Sequence, residues 1–355
     1  MADLRSLERT LAETVAVNKA RRNFLAKFMV ALIQVKTVNL VEVSNSFAGR
    51  AKAESSYKRI QRFLRFFELP YAVTAAALVR LVGVPPPFVL TLDRTQWQLG
   101  EVWLNVMVIG VAYKGVAIPV LWTILEKKGC SSTAEKVALV QEFVRLFGAE
   151  SILFLAADRE FADQGLMGYL RRSSIDFRIR VKRNTKVSNG RGELVQAFRL
   201  FRSQRTGAAL TIAPPRECWG MRLYFTGMRL ESGDYLIVAA PQSTPEALED
   251  YGRRWEIETL FGCLKSRGFR LEQTHVRDPE RLKKLLALLA LTFCWAIVVG
   301  EWLVAHKPLR VKKHGRKCKS LFRHGLDHLR RIVCNLTGAA KLADFRRAIQ
   351  LLSRT

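Results

Sequence analysis

Residues Ile152–Asp158 read ILFLAAD: six apolar residues in succession, then an aspartate. A run this short and this apolar is the pattern of a strand covered on both faces, as in a sheet flanked by helices. Phe88–Asp93, FVLTLD, has the same form and also closes on an aspartate. Between the two, Glu101–Val111 and Lys114–Thr123 are rich in β-branched residues and read as a hairpin turning at Ala112-Tyr113. Ser132–Phe147 reads as an amphipathic helix, with Glu135 placed for a capping box. A helix over Asp163–Arg172 and a strand over Asp176–Lys182 follow. The order β-β-β-α-β-α-β predicts an α/β fold, with both aspartates at the ends of buried strands.

Outward from this centre the texture changes in both directions. Residues 1–82 are basic and helical in period, and Gly83–Pro87, GVPPP, marks the boundary of the sheet region at 83–183. Within the first region Ser55–Phe67, SSYKRIQRFLRFF, interleaves Lys58, Arg59, Arg62 and Arg65 with apolar residues. It reads either as a DNA-binding helix or as an amphipathic helix with a solvated basic face. Residues 184–244 read as a β-rich insertion, with Pro214-Pro215 and the strand-like Met221–Met228 and Tyr235–Ala239. Residues 245–305 return to helix, and Asp278-Pro279 opens a long one. Its apolar run Leu285–Val299 is short of the roughly 20 residues that span a bilayer, so it reads as a buried core helix, with no membrane among the partners. Residues 306–355 form a basic C-terminal region, with ten Lys/Arg against one Asp between Lys307 and Arg331.

Lys and Arg number 58 against 31 Asp and Glu, a net charge of +27 that points to a polyanionic partner. The six cysteines form no CxxC pair, and reduced thiols in a cytoplasmic protein are expected. Cys318, His324, His328 and Cys334 come nearest to a metal-binding spacing, but a basic helix is the better reading of that segment.

Tyr251–Lys265 reads YGRRWEIETLFGCLK. On one continuous helix Tyr251, Arg254, Glu258 and Lys265 fall within roughly 60° of one another, at about 100° per residue. Trp255, Leu260 and Cys263 take the opposite side, and Glu256 points away from Glu258. Arg254 and Glu258 could be a simple i, i+4 ion pair, and each aspartate a turn residue. Together, Asp93, Asp158 and Glu258 could instead converge as three mutually repelling carboxylates in need of a cation. Such hard oxygen ligands suit Mg²⁺ or Mn²⁺, and two such ions serve phosphoryl transfer. Arg254 and Lys265 would then grip a phosphate.

These residues resemble a known family. Asp93 in TLDRTQW, Asp158 in AADREF and Tyr251-x2-Arg254-x3-Glu258-x6-Lys265 are similar to the DDE transposases of bacterial insertion sequences. The narrower resemblance is to the insertion-sequence family four group, with its tyrosine–arginine–glutamate–lysine signature. It covers roughly Ser55–Leu291 and implies an RNase H-like catalytic core interrupted by a β-rich insertion. It also implies that Asp93, Asp158 and Glu258 are the catalytic, metal-binding triad, and that Tyr251, Arg254 and Lys265 contact transposon-end phosphates. Arg159 matches a basic position that touches DNA. Tyr235 stands where some relatives carry a tryptophan that stacks on a flipped base; Trp219 is a rival, and packing within the insertion is the other reading of Tyr235.

The expected function is therefore cut-and-paste DNA transposition on double-stranded DNA, at transposon ends and at the target. A homodimer would hold the two ends, with two Mg²⁺ or Mn²⁺ ions per site, in the bacterial cytoplasm at the nucleoid. The alternatives are a metal-dependent nuclease without strand transfer and a non-catalytic regulator derived from a transposase.

Overall fold

The computed structural model describes residues 2–15, 17–47, 52–68, 70–313, 317–335 and 339–353. The chain opens with helices α1 (Ala2–Thr14), α2 (Lys19–Val35), α3 (Leu40–Asn45), α4 (Ala53–Phe66) and α5 (Tyr71–Val82). Strands β1 (Phe88–Leu99), β2 (Val102–Tyr113) and β3 (Val116–Leu125) lead to α6 (Thr133–Phe147), β4 (Ile152–Ala157), α7 (Gln164–Arg172) and β5 (Phe177–Arg180). Then come β6 (Lys186–Ser188), β7 (Leu194–Gln196), β8 (Ala209–Cys218), β9 (Met221–Arg229) and β10 (Tyr235–Ala240). Helices α8 (Ala247–Gly252), α9 (Trp255–Leu264), α10 (Pro279–His306), α11 (Leu321–Val333) and α12 (Ala339–Gln350) close the chain. Two compact units divide it: residues 1–84, 96–104 and 260–355 form one, and residues 85–95 and 105–259 the other.

The second unit is built on a mixed α/β sheet of eight strands, ordered β3-β2-β1-β4-β5-β10-β9-β8. β1, β4 and β5 run parallel at its centre; β2–β3 and β10–β9–β8 are antiparallel. The strands of the insertion do not stand apart. β10 pairs with β5, Val238 opposite Arg180 and Ala239 opposite Ile179, so three strands of the insertion continue the central sheet.

Leu155, Ala156 and Ala157 of β4 are fully buried, as the apolar run requires, whereas Leu153 is half exposed near the strand's start. The β2–β3 turn differs from the expected Ala112-Tyr113. The ladder runs on to Tyr113↔Val116, and Lys114 (φ 49°) with Gly115 (φ 91°) makes the bend. A two-residue hairpin turn whose twist suits its strands needs positive φ at both positions, which Gly supplies without strain and Lys at a small cost. The capping box of α6 is present in both directions, Ser132 Oγ accepting from Glu135 N and Glu135 Oε2 from Ser132 N.

The first unit is organised around α10. The helix is long and apolar enough to cross a bilayer, but 89% of its most apolar 18-residue window is buried. It packs against α2, α4, α5 and α11, and Trp295 Nε1 donates to Ala348 O at 2.8 Å. Where α10 crosses α11 the backbones meet at Gly300 and Gly325. A Cβ on Gly325 would lie 1.8 Å from Ala296 O, so only glycine fits. His324 and His328 lie on helix α11, and His328 Nδ1 is 3.0 Å from an Arg331 nitrogen.

Candidate active site

Two of the three expected acids are positioned by strand register. β1 and β4 pair in parallel up to Leu92↔Ala157, so Asp93 and Asp158 are the next residues on neighbouring strands. Asp93 is not the last residue of its strand, as expected, because β1 continues through Arg94 to Leu99. The third acid, Glu258, lies in the first turns of α9.

The helix carrying it is not continuous. α8 ends at Gly252, α9 begins at Trp255, and the junction is closed by i→i−3 bonds. Arg253 N donates to Asp250 O, Arg254 N to Tyr251 O, Glu256 N to Arg253 O and Ile257 N to Arg254 O. Gly252, a weak helix former, stands where the α-helical ladder gives way. In this tighter winding, residues three apart eclipse, which brings Tyr251 and Arg254 together despite the break. The Arg254 guanidinium lies 5.6 Å from the Tyr251 ring centroid. Trp255 departs from expectation too, because four residues on from Tyr251 is only about 40° around the helix and not the opposite side. It is 58% exposed, with the Arg254 guanidinium 4.7 Å from its ring centroid, whereas Leu260 and Cys263 are buried as expected.

Arg254 is the hub. Its side chain is only 4% exposed, and one terminal nitrogen lies 2.8 Å from Glu258 Oε1 and 3.3 Å from Asp93 Oδ2. Among the described residues its Nε has no hydrogen-bond partner. Tyr251 is buried and donates its hydroxyl to Asp158 Oδ1 at 3.2 Å; Arg180 lies 3.9 Å from the same oxygen. Asp93, Asp158, Glu258, Tyr251 and Arg254 are thus joined in one constellation within the second unit. Burial pushes Asp93 up to about 7; the Arg94 N–H and Arg254 oppose the rise, and Glu160 and Asp158 add to it. Burial likewise pushes the Tyr251 hydroxyl up to about 12, with Asp158 acting in the same direction.

Glu256 falls outside the constellation, as its helical position requires. It is buried and bonded to Arg253 and to the backbone N–H groups of Tyr113 and Gly115. Arg159 is exposed directly after Asp158. Lys265 belongs to the first unit, where Nζ pairs with Glu272 at 2.8 Å, donates to Gln96 O at 3.4 Å and lies 5.6 Å from the Trp97 ring centroid. Tyr235 is 8% exposed and packs against Phe198, ring centroids 5.8 Å apart, with Arg183 beside both rings. Trp219 is half-buried at the β8–β9 turn, with φ of 52°.

Among the described residues no three His, Cys, Asp or Glu side chains are gathered closely enough to hold a metal ion. The donor chemistry nevertheless fits a hard divalent cation. Three carboxylates supply only oxygen, and the positive charge of Arg254 already stands between two of them.

Sequence reasoning left Arg94, Glu160 and Arg180 without roles. Arg94 and Glu160 form a two-point ion pair beside the acids. The available signal was an arginine after the first aspartate and a glutamate two residues after the second.

Comparison with known proteins gives one family match, over slightly less than half of the chain. Residues 128–295 match the transposase DDE domain family. The matched span holds Asp158, Glu258 and Lys265 and begins after Asp93. Among solved structures, the chain is similar to a piggyBac transposase determined by cryo-EM as a synaptic complex with hairpin DNA. That similarity is 13% in sequence, covers 94% of this chain and 76% of that chain, and has a TM-score of 0.48. No curated protein matches the sequence.

Proposed function

We propose that the chain is a DNA transposase that cuts its own element out and joins the freed 3′-hydroxyl ends to target DNA. The observation that carries this reading is the linkage of Asp93 and Glu258 through Arg254 and of Asp158 through Tyr251, with all but Asp93 inside the span that matches the transposase DDE domain. On this reading β3-β2-β1-β4-β5 is an RNase H-like core, and the chain is of the insertion-sequence family four group. Asp93, Asp158 and Glu258 would hold Mg²⁺ or Mn²⁺, two ions in the active form, which when bound polarise the scissile phosphate and activate the attacking oxygen. Arg254, on leaving Asp93 and Glu258, would neutralise charge on that phosphate. The Tyr251 hydroxyl fixes the orientation of the Asp158 carboxylate. Arg159 and Lys265 would contact the DNA backbone, and Tyr235 could stack on a base only by leaving its packing against Phe198.

The exposed face of α4, with Lys58, Arg59, Arg62 and Arg65, and the basic region after His306 would bind the terminal repeats. Two copies would hold two ends, at the bacterial nucleoid. The test is a labelled end duplex with Mg²⁺, comparing the parent with Asp93→Ala, Asp158→Ala and Glu258→Ala. Cleavage by the parent alone, followed by joining to a target plasmid, is expected. Equal cleavage by the alanine variants would refute the site, and cleavage without joining would leave a nuclease.

A further inference from the structure

We infer that Arg94 and Glu160, seated on Lys136, form a brace that sets the spacing of Asp93 and Asp158; all three are positioning residues. The inference rests on the functional reading above. The parallel ladder between β1 and β4 ends at Leu92↔Ala157, so both aspartates lie just beyond the last pairing of these two strands with each other. The next link across is made by side chains. Arg94 Nε lies 2.7 Å from Glu160 Oε1, and an Arg94 terminal nitrogen donates to Glu160 Oε2 at 3.0 Å. The second contact is a charge-assisted hydrogen bond, and the first is a close ion pair without hydrogen-bond geometry, so the two side chains are tied at two points. The two side chains are 13% and 24% exposed, so solvent screens the pair less than a surface one.

The far side of the same loop is held from α6. Lys136, its side chain 5% exposed, donates Nζ to Glu160 O at 3.0 Å and to Asp163 Oδ2 at 2.7 Å, and lies 5.5 Å from the ring centroid of fully buried Phe161. Asp163 Oδ1 in turn accepts from Thr133 Oγ1 and caps α7 through Leu166 N. Residues 158–163 are therefore gripped by β1 on one side and α6 on the other. Asp158 leads that loop and Asp93 precedes Arg94, so the brace ties both acids to one rigid frame.

The test uses the full chain without DNA. Mn²⁺ binding is read by electron paramagnetic resonance, and backbone exchange of residues 159–163 is read metal-free by hydrogen–deuterium mass spectrometry. Glu160→Gln, nearly isosteric, is expected to weaken Mn²⁺ binding by about 10–100-fold, as outer partners of metal ligands do. It is also expected to speed exchange in the loop while other segments keep their protection. Arg94→Lys keeps the charge, loses one of the two contacts and should weaken binding less. The reversed pair Arg94→Glu with Glu160→Arg should recover part of the loss of the single Arg94→Glu change. Parental Mn²⁺ affinity and loop exchange in Glu160→Gln and Arg94→Lys would overturn the brace, as would a reversed pair no better than Arg94→Glu. A parent that neither binds Mn²⁺ nor cleaves DNA sinks the functional reading, while loop exchange still judges the brace. A parent that does both beside unchanged variants sinks the brace alone.

Discussion

Asp93 is held where its charge is costly, and replacing it with asparagine should make that cost measurable. Burial, with Glu160 and Asp158 nearby, moves its pKa from 3.8 to about 7 even with Arg254 3.3 Å away. The folded state thus binds this proton about a thousandfold more tightly than the unfolded chain. At 1.36 kcal/mol per tenfold, that is about 4 kcal/mol. The sign follows from the direction. The stabilising contribution of the protonated acid is fully present below about pH 3.8 and is lost as pH rises through about 7. Asp93→Asn cannot ionise, and it gives up part of its contact with Arg254. It should therefore be more stable than the parent by about 2–4 kcal/mol at pH 8, with the difference shrinking toward zero near pH 4. Urea unfolding of both proteins across that range, in chelator and at fixed salt, measures the difference directly. The variant should be inactive in metal-dependent cleavage. A difference that does not change with pH, or a variant less stable than the parent at pH 8, would refute the argument that Asp93 is strained by its own charge.

Four further substitutions, one of them with a second-site partner, probe the packing within each unit. Gly325→Ala puts a Cβ against Ala296 O across the α10–α11 crossing and should cost about 3 kcal/mol or more. Gly252→Ala, which has open space, should change stability by less than about 1 kcal/mol, and thermal unfolding distinguishes the two. Ser132→Ala removes one half of the α6 capping box and should cost about 1 kcal/mol in denaturant unfolding. Arg178, 4% exposed, pairs with Asp176 at 2.8 Å and Asp250 at 3.0 Å. Arg178→Met should cost about 3–5 kcal/mol by leaving the two acids unmatched, and adding Asp250→Asn should recover part of that loss.

Much of the central sheet could be read from residue order, because its signals are local. Two apolar runs closed by aspartate, the Ser132-x-x-Glu135 cap and the β-branched pair of strands each depend on neighbours a few residues away. The same locality explains what was displaced. Lys114-Gly115 bends the hairpin two residues later than the β-branched pattern implied, because a positive φ matters more there than hydropathy. β1 runs on through Arg94 and Gln96, whose polar side chains do not continue the apolar run that marked its start. The break between Gly252 and Trp255 changes the helical winding yet leaves Tyr251, Arg254 and Glu258 linked, whereas Lys265, expected on the same stripe, pairs with Glu272. The joining of β10 to β5 and the clasp of Arg94 on Glu160 were not legible at all. Each links residues far apart in the chain, 66 positions in the second case, and no local pattern encodes such a partner.

The guanidinium between Asp93 and Glu258 has a consequence for how the site takes up cations. Asp93 and Glu258 already share a counterion in Arg254, so their charges are partly matched without a divalent ion. Any ion entering between those two carboxylates competes with a tethered one, and its apparent affinity falls by the free energy needed to evict Arg254. A phosphate offering that arginine a new partner lowers this barrier. On the proposed function, ion uptake and the arrival of DNA would favour each other through a single side chain, and by reciprocity the ion would tighten the grip on DNA by the same factor.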